Sequence, residues 1–90
     1  MNFTWDPDKA SANLEKHGIT FQEASTVFGD PLALTFMDRD HSAEELRYLT
    51  FGLSQAGQFL LVVHTLRGRQ NRIISARRMS KRERVLYEEG

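Results

Sequence analysis

The chain has 90 residues, no cysteine and a formal net charge of zero, with 40% hydrophobic and 27% charged residues. This length is typical of one domain and too short for two, so we expect residues 1–90 to form a single domain with a small core. The absence of cysteine excludes disulfides and thiolate metal sites, and no apolar stretch approaches the ~20 residues of a membrane span. Because the N-terminus also lacks a signal-peptide pattern, we expect a cytoplasmic protein without membrane association.

The zero net charge conceals a strong asymmetry along the chain. Residues 1–66 hold four Lys or Arg against nine Asp or Glu, whereas residues 67–90 hold eight against three. A basic segment of this kind can bind a polyanion while the acidic part meets a basic partner. A solvated charged end on a short protein would give the same composition, so individual residues have to decide between these interpretations.

The first part of the chain predicts a short strand followed by a helix. Phe3 and Trp5 alternate with polar neighbours, as in a half-buried strand. The pair Asp6 and Pro7 is typical of a helix start, with Asp6 as the cap and proline at the first helical position. We expect this helix to extend to His17.

A second, shorter helix is predicted directly after Gly18, which ends the first. Thr20 and Glu23 form a capping box, and apolar residues recur at helical spacing from Phe21 to Phe28. The Gly-Asp-Pro sequence that follows should end this helix.

From residue 32 onwards the hydrophobic period changes to two, which predicts four strands over residues 32–37, 45–53, 59–66 and 72–78. The third is apolar and β-branched along most of its length, as in a central strand buried on both faces. A capping box at Ser80 and Glu83 predicts a closing helix over residues 81–89. The order of elements predicts an α+β fold, with a largely antiparallel β-sheet and with the two N-terminal helices and the C-terminal helix packed mainly on one face.

The most informative stretch is the hairpin and last strand, residues 65–78, because it carries five arginines. They are Arg67, Arg69, Arg72, Arg77 and Arg78. Strict alternation would place Arg77 on one face of the last strand with residues 73 and 75, and Arg72 and Arg78 on the other. Arginine forks bind phosphate oxygens bidentately, and a strand holds them rigidly. The alternative is an edge strand that its charges protect against aggregation.

Other candidates for chemistry lie outside this stretch. Lys9 and Lys16 share a stripe of the first helix with Asn13, and His17 beside them either acts on RNA or caps the helix end. Glu45 and Arg47 share a strand face, where an ion pair is the simpler explanation. For His64, in the most apolar strand, the simpler explanation is a buried histidine whose ring is satisfied by hydrogen bonds.

The sequence also lacks several known signals of enzyme chemistry. It has no phosphate-binding glycine loop, no nucleophile elbow, no zinc spacing and no carboxylate cluster suited to two-metal nuclease chemistry. A nuclease built from these residues would therefore work without metal or cofactor. The RNA 2′-hydroxyl would attack its own phosphate, which needs a base, cations around the phosphorane and an acid for the leaving oxygen.

Four ordered segments resemble the BrnT toxin family, and together they extend over nearly the whole chain. They are Phe3-x-Trp5-Asp6-x-x-Lys9, Asn13-x-x-Lys16-His17-Gly18-Ile19-x-Phe21, Glu45-x-Arg47 and Arg72-Ile73-Ile74-Ser75-Ala76-Arg77. Glu83 and Tyr87 of the last helix also match the family pattern. The resemblance implies a RelE-like fold and a type II toxin-antitoxin ribonuclease that arrests translation. It also implies a BrnA-like antitoxin as partner, which would form a hetero-oligomer with the toxin and bind operator DNA.

Carried over by position, the resemblance implies a catalytic set on the exposed face of the sheet. Its members are Arg47, Arg67, Arg77, Lys9, His17 and Glu45. We expect Arg67 and Arg77, supported by Arg47, to bind the phosphate, and Lys9, His17 or Glu45 to carry protons. Further RNA contacts are expected from Arg69, Arg72, Arg78 and Lys16.

Two other functions fit the same residues. A non-catalytic nucleic-acid-binding module or co-repressor subunit would bind RNA or operator DNA without cutting RNA. A structural partner that self-associates through its acidic and basic parts would instead form salt-sensitive oligomers without affinity for nucleic acid. Both alternatives leave the predicted fold unchanged.

Overall fold

The structure, a computed structural model, describes residues 2–41 and 45–90. Its strands are β1 (Phe3–Thr4), β2 (Leu34–Met37), β3 (Arg47–Leu53), β4 (Phe59–Arg67) and β5 (Gln70–Arg78). Its helices are α1 (Pro7–His17), α2 (Phe21–Thr26) and α3 (Lys81–Glu89). These elements confirm the α+β class, the two N-terminal helices, the four consecutive strands and the C-terminal helix.

The five strands form one mixed sheet in the order β1-β5-β4-β3-β2. Strands β2 to β5 pair antiparallel with their sequence neighbours, as the period-two pattern predicted. The difference is β1, which pairs parallel with the first part of β5. Between β1 and β5 the chain runs through two helices and the strands β2 to β4, so their parallel pairing does not depend on a tight turn.

Local sequence signals set the bounds of the helices. Asp6 accepts a hydrogen bond from the N–H of Asp8 at 2.8 Å and so caps α1, and Gly18 ends that helix with a φ of 70°. Such a left-handed conformation favours glycine, which has no Cβ to clash. The capping box of α3 is complete in both directions between Ser80 and Glu83.

The main core lies between one face of the sheet and the first two helices. Its fully buried members are Ile19, Phe21, Ala24, Val27, Leu60, Val62, Ile73 and Ala76. Burial of a large apolar side chain contributes about 1.5–3 kcal/mol, so this cluster is the principal source of stability. At Gly52 a Cβ would lie 2.6 Å from Val27 Cγ1, so only glycine lets the connection after α2 pack this closely.

The last helix packs on the opposite face of the sheet. Tyr87 of α3 joins Phe51 and Leu61, and Leu61 points away from its core neighbour Leu60 because side chains alternate along a strand. The prediction that the helices lie mainly on one face thus holds for α1 and α2, and α3 is the exception. The apolar residues at odd positions of β3 and β4 supply the second surface that α3 needs.

A β-bulge breaks the predicted alternation in β5. Val63 pairs with Ser75, but the next residue, His64, pairs with Ile73, so Ile74 is an extra residue without a partner. Ile73 and Ala76 consequently both face the main core. Strict alternation would place Ile73 and Ala76 on opposite faces of the sheet, and this expectation is wrong. The inserted residue changes the face to which every preceding side chain of β5 points.

The side chain of Asn13 completes the edge of β5 beyond the end of β1. Its Oδ1 accepts from the N–H of Ala76 at 3.0 Å, and its Nδ2 donates to the carbonyls of Ala76 and Ile19 at 2.9 and 3.0 Å. The amide therefore satisfies backbone groups that a neighbouring strand would otherwise bind. Asn13 is buried, and it fixes α1 against the sheet.

Replacement of Asn13 by alanine should destabilise the fold without changing its architecture. It removes the partners of one N–H and two carbonyl groups in a buried place, which should cost about 2–4 kcal/mol. Urea unfolding followed by circular dichroism measures this loss. Ser11→Ala on the exposed side of α1 is the control and should change the free energy of unfolding by less than about 0.5 kcal/mol. Equal effects of the two substitutions would contradict the role assigned to Asn13.

Candidate active site

Two arginines flank a buried threonine in one row across three strands. Arg47 of β3 pairs with Thr65 of β4, and Thr65 pairs with Arg72 of β5. Directly paired residues point to the same face of a sheet, so both arginines lie on the face that α3 partly covers. At about 4.8 Å between neighbouring strands, their backbones are about 10 Å apart. The hydroxyl of Thr65 donates to the carbonyl of Leu46 at 2.6 Å.

The bulge in β5 explains why Arg72 belongs to this row. With strict alternation, Arg72 and Arg77 would point to opposite faces, as the sequence predicted. Because Ile74 is the extra residue, Arg72 instead shares its face with Arg77, which pairs with Leu61 of the α3 side. We call the set Arg47, Arg67, Arg72 and Arg77 the arginine face.

The hairpin end of the arginine face is formed by Arg67 and Glu45. Arg67 lies two residues beyond Thr65 in β4 and so points to the same side of the sheet. Its Nη2 is 3.3 Å from Glu45 Oε2, and its side chain is 58% exposed. Exposed ion pairs of this length contribute little to stability, so both groups can exchange this contact for another. Arg69 lies exposed in the adjoining turn.

Arg77 is held by a bidentate ion pair with Glu83 of α3. Its Nη1 and Nη2 donate to Glu83 Oε1 and Oε2 at 2.8 and 2.9 Å. The hydrogen bond from Arg77, assisted by backbone donation from Ser80 and opposed by partial burial, lowers the pKa of Glu83 to about 2. The same hydrogen bond raises the pKa of Arg77. The guanidinium therefore keeps a fixed position and a permanent charge.

The cationic residues of α1 line an open cleft along the edge of β5. Lys9, Lys16 and His17 lie on one wall, with Ile74 and Ser75 on the other, around a volume of ≈ 270 Å³. Ser75 pairs with Val63 of the α3 side, so the cleft adjoins the arginine face rather than the main core. The structure thus brings these three predicted residues together, at the rim of the sheet instead of among the arginines.

Arg78 serves the fold in a way that the sequence did not indicate. Its Nη1 donates to the carbonyl of His17 at 3.0 Å, at the C-terminal end of α1, where carbonyl groups lack partners within the helix. Its pairing with Leu60, a main-core residue, directs it away from the arginine face. A contribution of Arg78 to RNA binding stays a prediction.

His64 is buried in the main-core side of the sheet, apart from the arginine face. Its Nε2 lies 2.7 Å from Thr50 Oγ1, and its ring contacts the rings of Phe28 and Tyr48. Burial lowers the pKa of His64, and the neighbouring Asn71 side chain opposes this shift only in part. The residue is therefore neutral near pH 7. Its burial agrees with the structural interpretation, but only Nε2 is satisfied, because Nδ1 is buried and has no hydrogen-bond partner among the described residues.

A second polar group anchors α3 at its far end. Tyr87 Oη donates to Asp30 Oδ2 at 2.5 Å, and the backbone N–H groups of Leu53 and Leu32 donate to the same carboxylate at 2.8 and 2.9 Å. Burial opposes ionisation of Asp30, but these three hydrogen bonds outweigh it and lower the pKa. Burial and the Asp30 contact raise the pKa of Tyr87 to about 12.

Sequence reasoning missed the roles of Asn13 and Asp30 because their partners are distant in the sequence, and it also missed the ion pair of Glu83 with Arg77. Glu83 had a partial signal, since it completes a capping box and lies six residues after Arg77. Within residues 2–41 and 45–90, no three His, Cys, Asp or Glu side chains come together as they would around a metal ion. No helix in the same residues is long and apolar enough to cross a membrane.

Fold and site together define a small α+β protein that presents several arginines on one sheet face, with the guanidinium of Arg77 fixed by Glu83, a surface suited to phosphate. Residues 5–83 match the model of a family described as the ribonuclease toxin, BrnT, of type II toxin-antitoxin systems. The chain therefore belongs to the BrnT family of ribonuclease toxins, as its motifs predicted. A toxin of a type II system is paired with an antitoxin, so this membership implies an antitoxin partner.

A solved structure has the same fold. The crystal structure of the ribonuclease toxin BrnT of Brucella abortus, at 1.1 Å resolution, matches with a TM-score of 0.69 and 23% sequence identity. The match covers 90% of this chain and 99% of the Brucella chain. Among curated proteins, none matches this chain significantly.

Glu83→Gln should reduce the acid sensitivity of the fold. Because the folded-state pKa of about 2 lies below the ordinary 4.5, the carboxylate stabilises the fold fully above pH 4.5, and this contribution is lost as the pH falls towards 2. With a discount for solvent screening, it amounts to about 1 kcal/mol. The free energy of unfolding of both proteins, measured between about pH 6 and about pH 2, should therefore converge at low pH.

The matched control is Glu88→Gln, which removes an exposed ion pair with Arg84 on the same helix. Its difference from the unmodified protein should stay close to zero over the whole pH range. A pH-independent difference for Glu83→Gln would contradict the assigned ion pair.

Proposed function

We propose that the protein is a metal-independent endoribonuclease that cleaves RNA by attack of the 2′-hydroxyl on the adjacent phosphate, and that it thereby inhibits translation in the cytoplasm. The observation that carries this proposal is the convergence of Arg47, Arg67, Arg72 and Arg77 on one sheet face. Guanidinium groups on one face can bind the phosphate and stabilise a pentacoordinate phosphorane with its extra negative charge. Family membership supports ribonuclease activity in general, and the chemistry is our inference.

The arginines take the role of binding the phosphate and stabilising the transition state. Rigid strands hold Arg47 and Arg72 on opposite sides of Thr65, and the Glu83 ion pair holds Arg77, so little reorganisation is needed when charge develops. Arginine stays protonated at any physiological pH, which makes it a poor general base and a good electrostatic stabiliser.

Proton transfer requires a different group, and Glu45 is the best placed. Its carboxylate lies beside Arg67 at the end of the arginine face, half-buried and only loosely paired. We assign it as the base that removes the proton of the 2′-hydroxyl. We assign Lys9 and His17, which line the cleft beside Ser75, to contact the flanking backbone or to protonate the leaving 5′-oxygen. DNA lacks the 2′-hydroxyl and would not be cut.

The chemistry is tested with purified, antitoxin-free protein and a defined RNA in EDTA. The unmodified protein should cut the RNA and leave 2′,3′-cyclic phosphates, and Arg77→Ala and Arg72→Ala should each lower the rate by about 100-fold or more. Both variants should keep a cooperative thermal transition. If Arg77→Ala fails to fold, the residue is structural and its assignment is wrong.

Arg84→Ala is the control for loss of one positive charge. Arg84 is exposed on α3, pairs with Glu88 and stacks over the ring of Phe59 at the far end of β4. Its replacement should leave the rate within about twofold, because it lies outside the arginine face. RNA that stays intact with the unmodified protein, with and without added ribosomes, would favour the non-catalytic binding module instead.

We also propose a BrnA-like antitoxin as the partner, with operator DNA bound through the antitoxin in a hetero-oligomer. Family membership implies an antitoxin, and the arginine face offers a cationic surface that an acidic antitoxin segment would cover. Mixing the toxin with the product of the adjacent reading frame should abolish RNA cleavage and yield a stable complex on size exclusion. Retained cleavage in that complex would contradict the proposal.

A further inference from the structure

Glu83 is not among the residues proposed to contact the RNA, yet it makes the best-formed ion pair of the described residues. Both carboxylate oxygens bind Arg77, at 2.8 and 2.9 Å. The side chain of Glu83 is only 23% exposed, whereas that of Arg77 is 42% exposed. Arg77 therefore keeps more accessible surface than the carboxylate that binds it.

The pattern of hydrogen bonds leaves one particular edge of Arg77 available. A guanidinium has five N–H donors. Nη1 donates one hydrogen bond to Glu83 Oε1 and one, at 3.1 Å, to the carbonyl of Arg78. Nη2 donates one hydrogen bond to Glu83 Oε2. The Nε–H and the second Nη2–H are not used in these contacts. These two donors lie on the same edge of the planar group and match the spacing of two phosphate oxygens.

We propose that Glu83 is a positioning residue for RNA cleavage: it binds the Nη1–Nη2 end of Arg77 and so presents the Nε–Nη2 edge of the same guanidinium to an RNA phosphate. The inference rests on the proposed ribonuclease function and adds a residue to it. Glu83 does not touch the substrate, and its effect on the reaction passes through Arg77.

The carboxylate that holds Arg77 is itself fixed by the start of α3. Glu83 Oε1 accepts from the N–H of Ser80 at 2.8 Å, and the N–H of Glu83 donates to Ser80 Oγ at 3.2 Å. The far end of α3 is anchored where Tyr87 binds Asp30. Arg77 is thus aligned by a helix whose far end is fixed by Tyr87, which binds Asp30 and packs on Phe51 and Leu61 of the sheet, and this is the kind of support that a catalytic geometry needs.

Glu83→Gln tests the inference because glutamine keeps the size and the capping box but loses the charge. We expect kcat to fall by about 10- to 100-fold, as is common when a catalytic group loses its alignment, with KM changed by less than about threefold. Glu88→Gln on the same helix should leave both constants unchanged. An unchanged or higher kcat in Glu83→Gln would overturn the inference.

Combination with Arg77→Ala separates positioning from general stability. If Glu83 acts only through Arg77, then Glu83→Gln should have no further effect on kcat in the Arg77→Ala background. A purely structural role would lower kcat by the same factor in both backgrounds, and that result would also overturn the inference. Thermal unfolding at neutral pH confirms that each variant is folded at the assay temperature.

A binding measurement gives a second readout that does not depend on cleavage. Titration with a 2′-O-methyl RNA, which cannot be cut, should shift the Arg77 Nε–H resonance in ¹⁵N NMR of the unmodified protein, and this shift should be lost in Glu83→Gln. If the resonance does not respond in the unmodified protein, the inference is wrong even when RNA is cleaved. If it responds but no RNA is cleaved, the ribonuclease proposal fails and the orientation of Arg77 stands.

Discussion

The extra residue at Ile74 is the constraint on which the two faces of the sheet depend. It allows Ile73 and Ala76 both to enter the main core, although strict alternation would separate them. By the same shift, Arg72 comes to the face that Arg77 occupies. The bulge thus brings Ile73 into the core together with Ala76 and brings Arg72 to the face of Arg77, so it serves both stability and the candidate site.

The bulge lies where β5 loses its neighbour β1, and Asn13 makes that arrangement possible. Without a paired strand, the backbone of Ala76 would be left with unsatisfied polar groups in a buried place, and the Asn13 amide binds both of them. The same contact holds α1 beside the edge of β5 and so creates the cleft of Lys9 and Lys16. The need to satisfy the backbone of Ala76 thus determines both how the edge of β5 is completed and where the cationic cleft lies.

The helix α3 divides the other face into a covered and an open part. Tyr87 packs on Phe51 and Leu61 and closes the second cluster, whereas Arg47 and Arg72, at the other end of the strands, remain outside it. The Arg77–Glu83 ion pair lies at the boundary between the two parts. This pair therefore contributes to stability, because it anchors α3, and to the proposed chemistry, because it orients the guanidinium of Arg77.

Several features of the site could be recognised in the sequence because they are local. The five arginines of residues 65–78 are close in the chain, and a hairpin necessarily brings its two strands together. Others required the folded chain. The sequence grouped Lys9 and His17 with the arginines, but the structure places them in the adjoining cleft, and it binds Arg78 to the end of α1. These outcomes depend on the position of a helix relative to a sheet, which no local pattern encodes.

What the sequence by itself determined is the set of elements and the family. The bounds of α1 and α3 agree with the prediction, because caps, proline and glycine act on neighbouring residues. Only the tertiary structure decided which arginines share a face, which face α3 covers, and which carboxylate holds Arg77. The physical reason is that these features arise from contacts such as that of Asn13 with Ala76, 63 residues apart, and from one unpaired residue that changes which side chains of β5 share a face of the sheet.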